Sequence, residues 1–398
     1  MIVLSGADLV LPDRILSSGT LAIDHGRIAD IRPGAVPTGP GFAFHGHYIV
    51  PGFIDVHVHG VEGFDSLQRG DAISSIAARL PRYGVTAFCP TTVACAPGAL
   101  RRVLEQVKKA REAAAPGAAR VLPAHLESNF INPEYRGAQP LACLRSPRAA
   151  LDRSAAGSDP AGFAAADILA EIERSAADVG IVTLAPELTG GLDLIAWLSS
   201  RGHRVSLGHS AATYDEALAA IAVGARHATH LFNRMPPLGH RAPGLAGAIL
   251  QTEDVAAEII CDGFHVHPAL VRTTVAAKRP SRVLAITDGT AASGLRAGGH
   301  ASLGEETISV GETAAFLSDG TLAGSVLTMD GAFRMLVERA GLSLVDAATL
   351  CATTPARELS LTGLGVIATD AIADLVILDG TLSVVQTYVG GKLAYARA

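Results

Sequence analysis

The clearest structural signal in the chain is the decapeptide Pro51-Gly52-Phe53-Ile54-Asp55-Val56-His57-Val58-His59-Gly60. Residues 53–56 have β-type character and lead into two histidines separated by one residue. On a β-strand, residues i and i+2 point to the same face, so the two imidazoles converge on one point. If the strand lies inside a barrel, this point is at its mouth, where a metal ion can bind. His-x-His also occurs by chance, so this interpretation depends on the rest of the chain.

Short apolar strands alternate with helical patterns through the middle of the chain, which is typical of βα units and a parallel sheet. We predict eight strands, at 53–58, 85–88, 121–124, 181–184, 205–207, 228–229, 258–260 and 283–286. Helical patterns lie between most of them and after the last, including 100–113, 165–178, 214–223, 329–340 and 344–353. Eight such units predict a (β/α)8 TIM-like barrel. An open doubly wound sheet is the rival, but no Gly-x-Gly-x-x-Gly fingerprint opens the first unit.

The two ends of the chain share a different pattern. Alternating apolar residues with Gly and Pro punctuation predict short strands in residues 1–49 and again after 373. Neither end is long enough for a core of its own, so together they predict one small discontinuous β-sandwich domain. We therefore divide the chain into a sandwich of residues 1–49 and 356–398 and a catalytic barrel of residues 50–355. We expect residues 140–163 to form a long loop, which is either a mobile lid or a passive surface insertion.

Composition limits the class of protein. The 398 residues are 49% hydrophobic and 18% charged, as expected for a globular protein with a large core. A net charge of −6 argues against nucleic acid or an anionic membrane as partner. No apolar run approaches the roughly 18 residues that cross a bilayer. The five scattered cysteines and the lack of an export pattern at the N-terminus favour the cytoplasm.

Metal-competent side chains follow five of the predicted strands. The carboxyl ends of barrel strands carry function in this architecture. Imidazoles and carboxylates at these ends are ligands for borderline cations such as Zn²⁺ or Fe²⁺, with Mn²⁺ and Co²⁺ as alternatives. A lone histidine there is usually structural, whereas six such residues together predict a catalytic metal centre: His57, His59, Glu127, His209, His230 and Asp288.

Several longer motifs resemble the N-acetylglucosamine-6-phosphate deacetylase family of the amidohydrolase superfamily, and the resemblance covers nearly the whole chain. They are His125-Leu126-Glu127, Arg136-Gly137-Ala138, Gly208-His209-Ser210-Ala211-Ala212-Thr213-Tyr214, Thr229-His230-Leu231-Phe232-Asn233-Arg234-Met235, Pro243-Gly244-Leu245-Ala246-Gly247, Asp262-Gly263-Phe264-His265-Val266 and Leu322-Ala323-Gly324-Ser325-Val326-Leu327-Thr328-Met329-Asp330.

The resemblance implies a metal-dependent amide hydrolase that removes the acetyl group from N-acetylglucosamine 6-phosphate. It implies that Glu127, His209 and His230 bind the principal metal ion. His57 and His59 would hold a second ion bridged by Glu127, so one or two ions are expected. Asp288 would be the general base and acid, taking a proton from water and passing it to the departing amine.

The resemblance also implies the substrate contacts. The backbone N–H groups of Asn233 and Arg234 would hold the sugar phosphate. The guanidinium of Arg241 would join them, reaching in from the second subunit of a homodimer. His265 would lie against the sugar or the acyl group. Gln139 stands where the family usually has a histidine that contacts the substrate, and it donates through its amide but cannot be protonated.

Departures from the family pattern leave the substrate open. Ser128-Asn129 replace the usual Gly-Pro, and Arg234 is bulkier than the residue expected there. The same chemistry on N-acetylgalactosamine 6-phosphate, on an unphosphorylated N-acetyl amino sugar or on an N-acyl-D-amino acid is therefore an alternative. A catalytically inactive scaffold is an alternative of another class, which the retention of all six metal-competent residues disfavours.

Overall fold

The computed structural model describes residues 1–37, 42–152 and 162–398. Its strands are β1 (Ile2–Val10), β2 (Ile15–Asp24), β3 (Arg27–Arg32), β4 (Tyr48–Pro51), β5 (Phe53–Val58), β6 (Gly60–Val61), β7 (Phe64–Asp65), β8 (Val85–Thr92), β9 (Arg120–Val121), β10 (Ala124–Glu127), β11 (Val179–Leu184), β12 (Arg204–Leu207), β13 (His227–Ala228), β14 (Ala256–Ile260), β15 (Val283–Ile286), β16 (His300–Leu303), β17 (Glu306–Val310), β18 (Ala314–Phe316), β19 (Leu322–Ser325), β20 (Leu375–Leu378), β21 (Val384–Val389) and β22 (Lys392–Ala396).

The helices pack mainly around the central strands. They are α1 (Ala72–Arg79), α2 (Pro97–Glu112), α3 (Pro147–Leu151), α4 (Ala165–Arg174), α5 (Gly191–Ser200), α6 (Tyr214–Ala222), α7 (Gly244–Gln251), α8 (Pro268–Lys278), α9 (Met329–Glu338), α10 (Leu344–Ala348) and α11 (Thr354–Glu358). Among the helices that the structure describes, none is long and apolar enough to span a bilayer.

Eight parallel strands form the predicted barrel, in the order β5-β8-β10-β11-β12-β13-β14-β15. A parallel bridge between Val58 and Gly289 joins the first strand to the segment after the last and nearly closes the ring. Every residue of β5, β8 and β14 is buried. Burial on both faces is typical of a parallel sheet that helices cover. The predicted TIM-like architecture is confirmed.

The third barrel strand begins later than the sequence indicates. Val121 belongs to the short β9, which pairs with β8, and the barrel strand itself starts at Ala124. Pro123 lies between the two segments and has no N–H group for a ladder hydrogen bond, which explains the interruption. The shift matters little for the site because the strand still ends at Glu127.

Both ends of the chain join one seven-stranded sheet, in the order β22-β21-β20-β4-β1-β2-β3. The central strand β4 runs parallel to β1 and antiparallel to β20. A separate apolar cluster, which includes Leu4, Leu21, Ile49 and Ile377, covers this sheet. The predicted second, discontinuous β domain is therefore present as a sheet with strands from both termini.

The predicted loop at 140–163 contains the short helix α3, and its residues 153–161 lie outside the described part of the chain. Its role as a lid stays a prediction. A four-stranded antiparallel sheet of β16 to β19 follows the last barrel strand, and the sequence reading did not anticipate it.

Candidate metal centre

The carboxyl ends of five barrel strands bring the six predicted side chains together. All six lie within two residues of the end of their strand, and every one of the six residues is buried. They are His57 and His59 at the end of β5, Glu127 at the end of β10, His209 after β12, His230 after β13 and Asp288 after β15.

The first ligand group consists of Glu127, His209 and His230. Glu127 Oε1 lies 2.8 Å from His209 Nε2 and 2.9 Å from His230 Nε2. The two imidazole nitrogens are 3.1 Å apart. Three ligand atoms therefore converge on one point from three different strands.

The second ligand group consists of His57, His59 and Asp288. Asp288 Oδ1 lies 3.3 Å from the Nε2 atom of each histidine. Glu127 connects the two groups, because its Oε1 is 3.7 Å from His57 Nε2 and its Oε2 is 3.6 Å from His59 Nε2. One carboxylate thus faces both sets of imidazoles.

The hydrogen bond behind His209 favours a cation in front of it. His209 Nδ1 donates to the carbonyl oxygen of Tyr135 at 2.7 Å, and a carbonyl only accepts. In the neutral imidazole the proton is thereby placed on Nδ1, and Nε2 presents a lone pair toward the Glu127 carboxylate. Two acceptors at 2.8 Å repel unless a positive charge lies between them. The donor set of imidazoles and carboxylates fits a divalent metal ion.

The backbone is unusual where these side chains emerge. His209, His230 and Asp288 have φ angles of 48°, 29° and 49°, in the left-handed region that ordinary residues seldom adopt. Such conformations cost about 1–3 kcal/mol each and persist where the surroundings impose them, often at functional sites. The sharp turns aim the three side chains across the barrel mouth.

A buried glutamate that the sequence reading missed lies beneath the metal ligands. Glu258 accepts hydrogen bonds at 2.9 Å from His57 Nδ1 and at 2.9 Å from His227 Nε2. Burial opposes the charging of His57, but the carboxylates of Glu258, Asp288 and Glu127 outweigh it and raise the pKa of His57 to about 10. An acidic residue inside the apolar strand Ala256–Ile260 was the available signal.

His125 is a buried histidine with a structural role. His125 Nδ1 donates to Val56 O at 3.0 Å, and its Nε2 atom lies 2.7 Å from Thr183 Oγ1. Both nitrogens are therefore engaged, and burial lowers the pKa of this imidazole to about 3. Although His125 lies near His57 and Glu258, it has no free nitrogen for a metal ion.

The two carboxylates of the centre are held in the ionised form. Burial raises the pKa of Glu127, but His209 and His230 outweigh this effect and hold it well below the usual value. Burial likewise opposes ionisation of Asp288, and His57 and His59 lower its pKa overall. Ionised carboxylates are the species that bind a cation or accept a proton from water.

A small cavity of about 60 Å³ opens directly onto these groups. Four predicted substrate residues line it: Gln139, Asn233, Arg234 and His265. His265 Nδ1 lies 2.5 Å from Asp262 Oδ2, which fixes the ring. The half-buried guanidinium of Arg234 donates to Leu322 O at 3.2 Å, and burial lowers its pKa.

Several predicted contacts have other partners in the structure. Gln139 donates to the Oε2 atom of Glu127, so it touches the metal ligand itself. The N–H group of Asn233 already donates to His230 O at 2.9 Å. Arg241 is exposed and does not line the cavity of its own chain.

Ser128 and Asn129 lie outside the cavity lining. Ser128 Oγ donates to Thr183 O at 2.6 Å, and the Asn129 amide donates to the carbonyl oxygens of Cys95 and Cys143 at 2.8 and 2.7 Å. Both side chains tie neighbouring loops together. These two departures from the family pattern therefore act on loop structure and do not contact the cavity.

The antiparallel sheet of β16 to β19 supplies the far wall of the cavity. Leu303 ends β16, and Leu322 and Gly324 lie in β19. The alternating pattern in residues 300–325, broken by Gly304, Gly311 and Gly320, was the signal for this sheet.

Comparisons with known proteins agree with this geometry. Residues 48–394 match the amidohydrolase family. N-acetylglucosamine-6-phosphate deacetylase from Rattus norvegicus is 38% identical over 88% of the chain and 84% of the relative, and that of Bacillus subtilis is 32% identical over 97% and 95%. N-acetylgalactosamine-6-phosphate deacetylase from Escherichia coli O157:H7 is 34% identical over 98% and 99%.

Solved structures are also similar. A mutant N-acetyl-D-glucosamine-6-phosphate deacetylase from Mycobacterium smegmatis, in complex with N-acetyl-D-glucosamine-6-phosphate, superimposes with a TM-score of 0.87 at 31% identity and covers 99% of both chains. The enzyme from Thermotoga maritima gives a TM-score of 0.83 at 29% identity over 100% of both. This chain is an amide hydrolase that belongs to the amidohydrolase family and, within it, to the N-acetylglucosamine-6-phosphate deacetylases.

Proposed function

We propose that the chain hydrolyses the acetamide of N-acetylglucosamine 6-phosphate to acetate and glucosamine 6-phosphate, with a divalent metal ion held by Glu127, His209 and His230. The observation that carries the proposal is the position of Asp288. Its carboxylate lies 3.3 Å from His57 and His59 and lines the same cavity as the first ligand group. A proton acceptor and a metal-ligand group thus share one opening.

The chemistry follows from these side chains. A bound metal ion polarises a carbonyl oxygen and lowers the pKa of bound water from 15.7 to about 7. Asp288 accepts a proton from the attacking water and returns it to the amine nitrogen, since an amide anion is too basic to leave. Its depressed pKa keeps it ready as a base at neutral pH. Arg234 and His265 bound the cavity and orient the sugar.

The phosphate is held by cationic and polar groups near Asn233 and Arg234. A guanidinium suits a phosphate because its planar fork donates two parallel hydrogen bonds. Because Asn233 N–H is engaged with His230 O, the Arg234 guanidinium is the stronger candidate on this chain. The exposed Arg241 reaches the cavity of a second copy, so the active form is a homodimer.

The remaining assignments extend the same proposal. Glu127 faces both ligand groups, which suits one ion at His209 and His230 and a second at His57 and His59. Zn²⁺ or Fe²⁺ is the expected ion, with Mn²⁺ or Co²⁺ as substitutes. The five unpaired cysteines fit the reducing cytoplasm. The barrel comprises residues 50–355, and the β domain comprises 1–49 and 356–398.

N-acetylgalactosamine 6-phosphate is the second candidate substrate. The relative from Escherichia coli O157:H7 that carries this name covers nearly all of the chain. Gln139 also replaces the histidine that contacts the substrate in the family, and this replacement alters the groups that select between the two sugars. The two sugars differ only in the configuration of one hydroxyl group.

Parallel assays of acetate release test the proposal. Purified protein loaded with Zn²⁺ is given N-acetylglucosamine 6-phosphate, N-acetylgalactosamine 6-phosphate, unphosphorylated N-acetylglucosamine and an N-acyl-D-amino acid. We expect the highest kcat/KM with the first. A preference for the second sugar would assign the alternative, turnover of only unphosphorylated compounds would exclude a phosphate role for Arg234 and Arg241, and no turnover would favour the scaffold.

A further inference from the structure

Four side chains form a continuous hydrogen-bonded line through the barrel interior, from the amino-terminal end of β12 to the metal ligands. Arg204 Nε donates to His227 Nδ1 at 3.0 Å. His227 Nε2 lies 2.9 Å from Glu258 Oε1, and His57 Nδ1 lies 2.9 Å from Glu258 Oε2. His227, Glu258 and His57 are each 0% exposed, so no solvent competes for these bonds.

Arg204 and the Glu258 carboxylate together fix the direction of every bond in the line, because a guanidinium only donates and an ionised carboxylate only accepts. A guanidinium only donates, so His227 Nδ1 must accept. The neutral imidazole then carries its proton on Nε2 and donates to Glu258. His57 Nδ1 faces the other oxygen of the same carboxylate and must also donate. In the neutral imidazole, the form that binds a metal ion, His57 Nε2 then presents its lone pair on the side of Asp288 and Glu127.

We propose that Arg204 is a positioning residue for the metal ligand His57, acting through His227 and Glu258. Carboxylates that orient ligating histidines are common around metal sites, and their loss typically costs 10–100-fold in metal affinity. Here Arg204 sets the orientation of His57 through two intervening residues, from the opposite end of the barrel. The inference rests on the metal centre proposed above and adds a residue that the ligand pattern does not reveal.

A purely structural role for Arg204 is the rival explanation. Arg204 Nη1 also donates to the carbonyl oxygen of Glu358 at 3.0 Å, and its Nη2 contacts the Glu358 carboxylate. Arg282 Nη1 binds the same carboxylate at 3.1 Å, and no described contact joins it to His227. Arg282 is therefore a matched control, because its removal breaks an ion pair to the same Glu358 carboxylate and leaves the line to His57 intact.

The test measures Zn²⁺ affinity by chelator competition in the full-length protein and follows the ion assigned to His57 and His59. Arg204→Met is expected to weaken binding about 10–100-fold. Arg282→Met is expected to stay within about twofold of wild type, as a substitution outside the line. In a His227→Gln background the side-chain amide donates to Glu258 without help from Arg204, so Arg204→Met should have no further effect there. Equal losses in Arg204→Met and Arg282→Met, or a loss that persists with His227→Gln, would overturn the proposal.

A second measurement covers the case in which Arg204→Met does not fold. The imidazole ¹⁵N NMR chemical shifts of the wild-type protein should show that His227 is protonated on Nε2 and unprotonated on Nδ1. The opposite tautomer would overturn the proposal. If the wild-type protein binds Zn²⁺ but releases no acetate, the proposed function is wrong and the comparison of Zn²⁺ affinities remains valid. Wild type that binds no Zn²⁺ contradicts both.

Discussion

Gln139 donates its side-chain N–H to Glu127 Oε2, while its own Oε1 accepts the backbone N–H of Ala94 at 2.7 Å. The second bond fixes the orientation of the amide, because only an oxygen accepts from Ala94. Gln139 thus holds the carboxylate that faces both ligand groups. One side chain thus lines the cavity and supports the Glu127 carboxylate.

Gln139→Ala is therefore expected to lower Zn²⁺ affinity about 10–100-fold, as for other residues that support metal ligands. Gln139→Glu should weaken it further, since two carboxylates would then face each other. Chelator competition measures both variants. If Gln139→Ala binds Zn²⁺ as wild type does and only KM rises, Gln139 serves the substrate alone.

Asp288→Asn should abolish proton transfer and retain the shape of the site. We expect kcat to fall about 10²–10⁴-fold, the usual contribution of a positioned acid or base. The ion at Glu127, His209 and His230 should be retained because these three ligands are unchanged, and atomic emission measures it. Turnover that survives the substitution would remove Asp288 from the mechanism.

Removal of the metal should destabilise the fold. An ion that binds only the native state stabilises it by about 2.7 kcal/mol when its free concentration is 100 times its Kd. Dialysis against a chelator is expected to lower the melting temperature, and added Zn²⁺ should restore it. Glu127→Gln should lose this dependence on Zn²⁺, whereas Glu306→Gln, a change on the exposed part of β17, should keep it. A Zn²⁺ response in Glu127→Gln equal to that of wild type would contradict the ligand assignment.

His203 should make the protein less stable in mild acid. Burial lowers its pKa from the ordinary value of 6.5, and although Nδ1 donates to Val179 O at 3.0 Å, Nε2 has no partner among the described residues. Below pH 6.5 the unfolded chain binds a proton that the folded state resists, so the free energy of unfolding falls as the pH drops. Urea denaturation at pH 7.5 and 5.5 measures this slope.

His203→Asn keeps an N–H near the position of Nδ1 and cannot titrate, so it should flatten the slope. His25→Asn alters a side chain that is 95% exposed and serves as the control. Equal slopes in wild type and His203→Asn would show that another group is responsible.

The barrel and the convergence of the six side chains were predictable because strand-end residues in a parallel barrel meet at one rim whatever the loops do. The spacing of His57 and His59 alone predicts that they lie on the same face of a strand. Glu258 was not predictable as a partner of His57, since a single acidic residue in an apolar strand gives no distance to an imidazole about 200 positions away. The Gln139 contact depends on loop geometry, which local patterns do not encode. The strands of residues 300–325 had a local signal, but their position over the cavity did not.

The central position of β4 in the terminal sheet has a consequence for biosynthesis. On the ribosome, β1 to β4 emerge first, but the neighbour of β4 on its other side is β20, which begins at Leu375. The nascent chain must therefore carry an unpaired strand edge while the entire barrel is translated, and such edges invite pairing with other chains. This sheet is completed only after the barrel has been translated, and a ribosome that stalls within the barrel leaves a product prone to aggregate.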